Sequence, residues 1–316
     1  MSIGTVIIIR TSDSTSPLGR LDYASLSQQA LMELLIGGIT NKDKIYGQED
    51  VPELTGWGGV FLNENGEVHE IGWNILMLQG SIELKWVPST VQKLLAYVND
   101  LCGSVDLRGL PEGMKVLSLA QNQLTGELSL EHLPSTFETL ALPTNSLSGS
   151  LNLKSLPKSL KWLFLDRNNF SGTIDMSKLP DRLEEINLNN NPISGETDFS
   201  HLPKSLRKLD ISNTDLTGEV LVDGSLTAFN ASDCQVKYTK NDDSEPQKSF
   251  LGQFSPFGLP QRDGWDIRSP FGLRQASAIP VFGQQSGSSS SDQPGLFINS
   301  SNAQGFSKET SHDTDE

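Results

Sequence analysis

Apolar residues alternate with other residues in short stretches through the middle of the chain. Leu163 and Leu165, for example, are separated by Phe164. Period-two alternation predicts a β-strand that buries one face. The same arrangement recurs further along, so the sequence predicts a series of equivalent short strands, including those at Leu117 and Leu119 and at Leu140 and Leu142.

These strands belong to a repeat of 23 residues, marked by Pro88, Pro111, Pro134, Pro157, Pro180 and Pro203. Each unit reads LxxLxLxxNxLxG, then xLxL, up to the next Leu-Pro. This period and pattern resemble the leucine-rich repeat (LRR) family from about Asn65 to Val236. One strand cannot bury its face alone, so neighbours must stack. The resemblance implies an α/β LRR horseshoe, a solenoid with a parallel concave β-sheet.

One asparagine per unit lies where the chain leaves the strand. The resemblance implies that these side chains form a ladder and bond backbone groups that the turn leaves unpaired. A glycine follows four residues later, as at Gly126, and allows the next bend. Beyond the glycine, pairs such as Leu128 and Leu130 alternate again and predict a second strand, so we expect extended convex connections with little α-helix. The ladder residues are Asn99, Asn122, Asn145, Asn168 and Asn191.

The repeats define a predicted solenoid over residues 64–238, with about eight strands including degenerate repeats at both ends. Residues 1–63 form the N-terminal cap. There the apolar spacing in "DYASLSQQALMELLIGG" predicts a helix with Ser25 or Ser27 as N-cap. The following "LTGWGGVFL" resembles the cap of plant receptor-like repeat proteins, which continues as a hairpin into the first repeat. Trp57 and Val60 match that cap, but Leu62 stands where the family has a cysteine, so its disulfide is absent.

Residues 239–316 are rich in Ser, Gly and Gln, and this composition predicts a disordered tail. The tail contains "SPFGL" twice, at Ser255–Leu259 and Ser269–Leu273. These copies are either part of a low-complexity tail or a pair of short docking motifs. The tail's phenylalanines could also occupy the concave sheet until a partner displaces them.

The formal net charge of −15 argues against binding to nucleic acid or to an anionic membrane surface. No run approaches the roughly 20 apolar residues of a membrane span. The apolar run Val6–Ile9 is short for a signal peptide and no basic residue precedes it, which favours an intracellular location. Cys102 and Cys234 lie about 29 Å apart at the strand spacing of a sheet, so we expect both thiols to be reduced.

No catalytic chemistry is evident in the sequence. The four histidines have no metal-ligand spacing, and phosphate-loop, nucleophile-elbow and zinc motifs are absent. We therefore expect no enzymatic activity, no metal and no cofactor.

In the LRR fold, the x positions of LxxLxLxx point to the concave side. Trp162, Phe164 and Asp166 occupy these positions, with Arg167 at the end of the strand. Aromatic side chains beside charge resemble a binding hot spot. The sequence thus predicts a surface for a protein or peptide partner, whose remaining members are Tyr97, Glu185, Asn187 and Lys208.

Three other interpretations stay open. The two aromatic rings could instead cover neighbouring aliphatic stems or pack against the tail. The chain could be a surface or secreted recognition domain, similar to receptor ectodomains, with an incomplete N-terminus. It could also be an enzyme or enzyme subunit whose active site is assembled by the tail or by another chain.

Overall fold

The structure is a computed structural model that describes residues 23–47, 50–222 and 225–240. Two short α-helices lie at the N-terminal end, α1 (Gln28–Leu35) and α2 (Asp43–Tyr46). Single 3-10 turns occur at Tyr23–Ser25, Leu54–Gly56, Leu84–Trp86, Leu107–Gly109 and Leu153–Ser155. None of the helices in the described ranges has the length and apolar character that crossing a membrane demands.

Short strands make up the rest of the regular structure in the described residues. In chain order they are β1 (Val60–Leu62), β2 (Val68–Gly72), β3 (Gln79–Gly80), β4 (Lys93–Leu95), β5 (Asp100–Ser104), β6 (Val116–Ser118), β7 (Gln123–Glu127), β8 (Thr139–Ala141), β9 (Ser146–Gly149), β10 (Trp162–Phe164), β11 (Asn169–Phe170), β12 (Glu185–Asn187), β13 (Ser194–Glu196), β14 (Lys208–Asp210), β15 (Asp215–Val222), β16 (Ala228–Asn230) and β17 (Gln235–Lys240).

The strands form one long sheet and two smaller outer sheets. The long sheet has the order β1-β2-β4-β6-β8-β10-β12-β14-β16. Its eight strands from β2 onward are parallel, and β1 pairs antiparallel with β2 as an entry hairpin. The outer sheets have the orders β11-β9-β7-β5-β3 and β13-β15-β17. This is the predicted LRR solenoid of eight repeating strands with a helical cap.

The core lies between the long sheet and the outer wall. The central residues of successive strands pair in register and are fully buried, because each repeat places its leucine against the next. This row comprises Ile71, Leu94, Leu117, Leu140, Leu163, Ile186 and Leu209. The residues two positions later, such as Leu119, Leu142 and Leu165, are equally buried. Burying a leucine stabilises a fold by about 1.5–3 kcal/mol, so these stacked rows dominate the stability.

The second strand of each repeat lies earlier than the sequence pattern predicts. Strands β5, β7 and β9 end at or just after the glycine of their repeat, rather than beginning beyond it. Gly126 and Gly149 have φ of 87° and 89°, a left-handed conformation that ends the extended segment. Leu128 and Leu130 are buried as expected, but their backbone is irregular.

The repeat asparagines bond the preceding repeat. Asn168 is 5% exposed, and its Oδ1 accepts a hydrogen bond from the Leu147 amide at 3.0 Å. Its Nδ2 donates to the carbonyls of Leu142 at 3.0 Å and Leu165 at 3.1 Å. The same pattern recurs at Asn99, Asn122, Asn145 and Asn191. One side chain thus satisfies backbone groups of two adjacent repeats.

The residue before each asparagine slot adopts a left-handed backbone, which the sequence pattern did not reveal. Its φ lies between 51° and 58° in every repeat. Asparagine tolerates this conformation, whereas a β-branched residue is strained in it. The residues concerned are Ile75, Val98, Gln121, Thr144, Arg167, Asn190, Asn213 and Asp233.

The N-terminal cap closes the first end of the core. Ser27 caps α1 by accepting a hydrogen bond from the Ala30 amide at 3.2 Å. The helix buries Met32 and Leu35 in the same hydrophobic cluster as the repeats. Trp57 is 3% exposed, and its indole Nε1 donates to the Pro52 carbonyl at 3.0 Å. The indole thus packs in the same hydrophobic cluster as the repeats.

The first prediction concerns the asparagine hydrogen bonds. Asn168→Ala should lower the free energy of unfolding by about 1–3 kcal/mol, because three buried backbone groups lose their partner. Chemical denaturation measures the change. The adjacent Asn169 is exposed, so Asn169→Ala is the matched control and should change stability little. Equal losses in the two variants would contradict a special role for Asn168.

The second prediction concerns the left-handed position. Ile75 is 53% exposed and has φ of 58°. Ile75→Asn should raise the free energy of unfolding by about 1 kcal/mol, since it relieves backbone strain and loses little buried surface. The reverse change at an equivalent exposed position, Asn213→Val, should be destabilising by a similar amount. If both variants shift the melting temperature in the same direction, backbone strain is not the cause.

Candidate functional site

The site is the face of the long sheet that points away from the core. We call it the concave face and divide it into three rows, because each repeat contributes three alternating side chains. The residues of the first two rows pair in register from strand to strand. The first row is Lys93, Val116, Thr139, Trp162, Glu185 and Lys208. The second row is Leu95, Ser118, Ala141, Phe164, Asn187 and Asp210. The third row follows at Tyr97, Ala120, Pro143, Asp166, Asn189 and Ser212.

The half of the concave face nearer the N-terminus is apolar. It forms a hydrophobic cluster of its own, separate from the core of the solenoid. The two clusters are separate because the sheet lies between them and alternation sends odd and even positions to opposite sides. The buried members are Leu95, Tyr97, Val116, Ala120, Ala141 and Phe164, with Val98 and Trp162 packed against them.

The two predicted aromatic residues lie on this face but differ in exposure. Trp162 is half-buried, and Lys161 Nζ lies 5.4 Å from the centre of its ring. Phe164 is only 2% exposed, so the expectation of two exposed aromatic anchors is wrong for this ring. Phe164 packs within the apolar cluster and forms part of the floor of the face, while Trp162 remains partly accessible.

The other half of the face is polar and is organised around a buried aspartate. Asp210 is 3% exposed. Its Oδ2 accepts hydrogen bonds from Asn189 Nδ2 at 3.1 Å and Asn230 Nδ2 at 3.3 Å. Its Oδ1 accepts from the Ser212 amide at 3.0 Å and hydroxyl at 2.7 Å. The network therefore satisfies both oxygens of this buried carboxyl group with neutral donors alone.

Two further carboxyl groups lie on this face, Glu185 and Asp166, and Glu185 has one oxygen without a hydrogen-bond partner. Glu185 is 6% exposed; its Oε2 lies 3.3 Å from Lys208 Nζ, while its Oε1 has no hydrogen-bond partner. Burial raises the pKa of Glu185, and Lys208 opposes that shift. Asp166 is half-buried. Burial raises the pKa of Asp166 to about 7, against the lowering effect of Arg167 and with added repulsion from Asp210 and Glu185.

The structure brings most of the sequence-predicted residues together. Trp162, Phe164 and Asp166 come from β10 and the residues after it, and β12 beside it supplies Glu185 and Asn187. Lys208 follows on β14. Arg167 is exposed and starts the turn in the left-handed conformation. Tyr97 follows β4, three strands from β10 in the sheet order and so roughly 14 Å away, and is 7% exposed.

Several features of the face were not predicted as site residues. Ser118 Oγ and Thr139 Oγ1 are buried without a hydrogen-bond partner, and both residues are 0% exposed. Asn230 joins the Asp210 network from the last strand of the sheet. The period of 23 residues places Ser118 and Thr139 in the rows, and the pairing of β14 with β16 places Asn230 beside Asp210. Nothing in the sequence indicates which hydroxyls lack a partner.

The described residues offer no metal centre. No group of three or more His, Cys, Asp or Glu side chains within them is arranged to hold a metal ion. Cys102 and Cys234 are both free thiols. Cys234 stands in the asparagine slot of the last repeat, where its Sγ donates to the Ala231 carbonyl at 3.1 Å.

Comparisons with known proteins give matches among solved structures. No protein-family model matches the chain, and no curated protein matches it. Pollen Receptor Kinase 3 is 20% identical with a TM-score of 0.46, over 69% of this chain and 99% of that chain. The LRR ectodomain of the receptor kinase SOBIR1 from Arabidopsis thaliana is 20% identical with a TM-score of 0.34, over 67% and 95%.

A plant peptide hormone receptor, RGFR1, in complex with RGF2, is 24% identical with a TM-score of 0.37, over 50% of this chain and 30% of that chain. The chain thus spans less than a third of the length of that receptor chain. The chain's own features decide its class: a 23-residue repeat, eight stacked parallel strands and an asparagine that bonds the neighbouring repeat. They identify its fold as a leucine-rich repeat solenoid.

Proposed function

We propose that this LRR protein is a non-catalytic interaction module that binds a protein or peptide on its concave face. One observation carries the proposal: the apolar cluster and the buried Glu185, whose Oε1 has no hydrogen-bond partner, lie side by side on one sheet face. Interface hot spots combine buried aromatic anchors with charges that need a partner. A solvated surface with no binding role would not leave Glu185 Oε1 buried and unpaired.

The residues of the face divide into contact residues and supporting residues. Trp162, Asp166 and Arg167 retain exposure and would contact the partner directly. Phe164 and Tyr97 are buried and would support the contact surface from below. The remaining residues, Glu185, Asn187 and Lys208, would fix the charge and polarity of the groups that can bind at the polar half.

Asp166 sets the charge of the preferred partner. A half-buried carboxylate is costly in its ionised form unless a cation lies close to it. Among the described residues no lysine or arginine forms a salt bridge with Asp166. A cationic side chain of a partner would therefore favour the ionised form, which agrees with the chain's net charge of −15.

The third prediction tests where a partner binds. Peptides selected from a random display library on the intact protein should lose about tenfold or more in affinity for Trp162→Ala, as is usual at a hot spot. Thr125 is exposed on outer strand β7, so Thr125→Lys is the matched control and should bind the same peptides with unchanged affinity. Circular dichroism and thermal melting verify that both variants fold. Loss of binding in Thr125→Lys, with Trp162→Ala unaffected, would place the site on the other wall.

The fourth prediction concerns the pH dependence of stability. Because the Asp166 pKa is raised to about 7 in the folded chain, the folded state holds a proton between about pH 4 and pH 7 that the unfolded state has lost. The free energy of unfolding should therefore fall as the pH rises through that window. The charged groups that surround Asp166 are Arg167, Glu185 and Asp210. On the other side its neighbour in the row is the uncharged Pro143, which follows β8.

Asp166→Asn should remove this fall and raise the free energy of unfolding at pH 8 by roughly 1–3 kcal/mol. Asp175 is the control, because its pKa is lowered by hydrogen bonds from Lys154 and Ser177. Asp175→Asn should not stabilise the protein at pH 8. Urea unfolding at pH 5 and pH 8 measures both effects, and superimposable profiles for Asp166→Asn and the unmodified protein would contradict the assignment.

A further inference from the structure

Strand β1 is the first strand of the long sheet, and no described segment pairs with its outer side. Two backbone hydrogen bonds flank Phe61 in the hairpin with β2, from the Gly72 amide to the Gly59 carbonyl at 2.7 Å and from the Asn63 amide to the Glu67 carbonyl at 2.8 Å. Such bonds fall on alternate residues of an antiparallel strand, so the backbone groups of Val60 and Leu62 point away from β2. The Val60 amide donates to the Trp57 carbonyl at 3.4 Å. The Val60 carbonyl and both backbone groups of Leu62 therefore face the open edge.

Phe61 places an exposed aromatic ring at this edge. It pairs with Glu70, which pairs in turn with Lys93 of the first row, so the ring lies on the concave side of the sheet. Its Cε2 lies 3.6 Å from the position that a Cβ would take at Gly72. Phe61 is 49% exposed and Leu62 beside it is 36% exposed. The edge thus offers apolar contacts next to open backbone groups.

Two other edge strands lack this combination. At the far end of the long sheet, all three residues of β16 are half-buried. In the outer wall, β17 carries the exposed Lys237, and a lysine on an edge strand opposes pairing with another chain. Strand β1 contains neither lysine nor proline and exposes two of its three residues. Its length limits an added strand to a short segment.

The surroundings of β1 are acidic. Residues 50–72 contain five acidic residues and no lysine or arginine, the five being Asp50, Glu53, Glu64, Glu67 and Glu70. Glu70 forms a salt bridge with Lys93 at 3.3 Å, whereas the other four form none within the described part of the chain. Glu64 is exposed in the hairpin turn, and the exposed Glu53 precedes the turn Leu54–Gly56 that contacts β1. This charge repels a second copy of the same edge and favours a basic partner.

We propose that β1 accepts an extended basic peptide of a partner protein as an added strand. The peptide runs antiparallel to β1, exchanges backbone hydrogen bonds with Leu62 and packs an apolar side chain beside Phe61. Its lysines or arginines face Glu53 and Glu64. Five strand intervals, roughly 24 Å, separate β1 from β10. The added strand is therefore a second site, and it does not rest on the proposed function at Trp162.

The test uses the full chain and the synthetic peptide acetyl-KTVFVTK-amide in isothermal titration calorimetry. The unmodified protein should bind one peptide per chain, and Phe61→Ser should weaken binding about tenfold, as at an interface hot spot. Tyr238 is a similarly exposed aromatic residue, at 47%, on edge strand β17. Tyr238→Ser is thus the matched control and should bind like the unmodified protein, as should Trp162→Ala. Circular dichroism verifies that the variants fold.

Backbone methylation of the peptide separates strand addition from simple apolar contact. When the peptide phenylalanine lies opposite Phe61, the amides of its two valines point toward β1 and those of its phenylalanine and second threonine point away. Methylating both valine amides should abolish binding, whereas methylating the other two amides should change the affinity little. Replacing both lysines of the peptide by glutamate should weaken binding about tenfold, because like charges then face each other.

The proposal is overturned if the peptide does not bind, if Phe61→Ser binds like the unmodified protein, or if the two methylated peptides behave alike. A dimer that Phe61→Ser dissociates in analytical ultracentrifugation would assign the edge to a second copy instead. Binding that appears only after Ile7→Ser with Ile8→Ser would assign it to the apolar run at the N-terminus. Loss of peptide binding in Trp162→Ala but not in Phe61→Ser would place the peptide at the concave site, which supports the proposed function and contradicts strand addition.

Discussion

The stacking of one repeat on the next is the interaction on which the rest of this structure depends. Each leucine row is buried only because the neighbouring repeat covers it, and no single repeat has a core of its own. The asparagine side chains fix that stacking, because each bonds backbone groups in its own repeat and in the preceding one. Where asparagine is replaced, the substitute bonds only within its own repeat, as Thr214 does with the Ile211 carbonyl at 2.7 Å.

The same stacking determines the composition of the concave face. Once Leu163 and Leu165 point into the core, Trp162, Phe164 and Asp166 must point to the other side of the sheet. Their neighbours in each row are then set by the period of 23 residues, which brings Thr139 and Glu185 beside Trp162. A change of sequence at these positions therefore leaves the leucine rows in place. The fold thus separates residues that hold the solenoid together from residues that form the concave face.

Much of the fold could be predicted from the sequence. In a repeat protein, the alternation within each unit also determines which residues of neighbouring units come into contact. The eight strands, the side to which Trp162 points and the position of the asparagines all follow from the spacing of Leu, Asn and Pro. The left-handed backbone at Ile75 does not, since isoleucine normally avoids that conformation and only the geometry of the turn imposes it.

Nor could the hydrogen-bond partners of the polar groups be predicted from the sequence. Asp210 and Asn230 are 20 residues apart and meet only because the last repeat is three residues short. The burial of Phe164 and of the small residues beside it depends on how side chains of neighbouring strands pack together, which alternation does not reveal. The sequence therefore predicts which side chains form the concave face, but not how much of that face is open.

Hydroxyl-radical footprinting of the intact protein by mass spectrometry tests most directly whether the concave face is packed away. Phe137 in the core is 0% exposed and Phe61 on β1 is 49% exposed, so the two give internal limits for slow and fast oxidation. Phe164, at 2% exposure, should oxidise as slowly as Phe137. Oxidation of Phe164 at the rate of Phe61 would instead show that this face is open and that Phe164 is not packed within the apolar cluster.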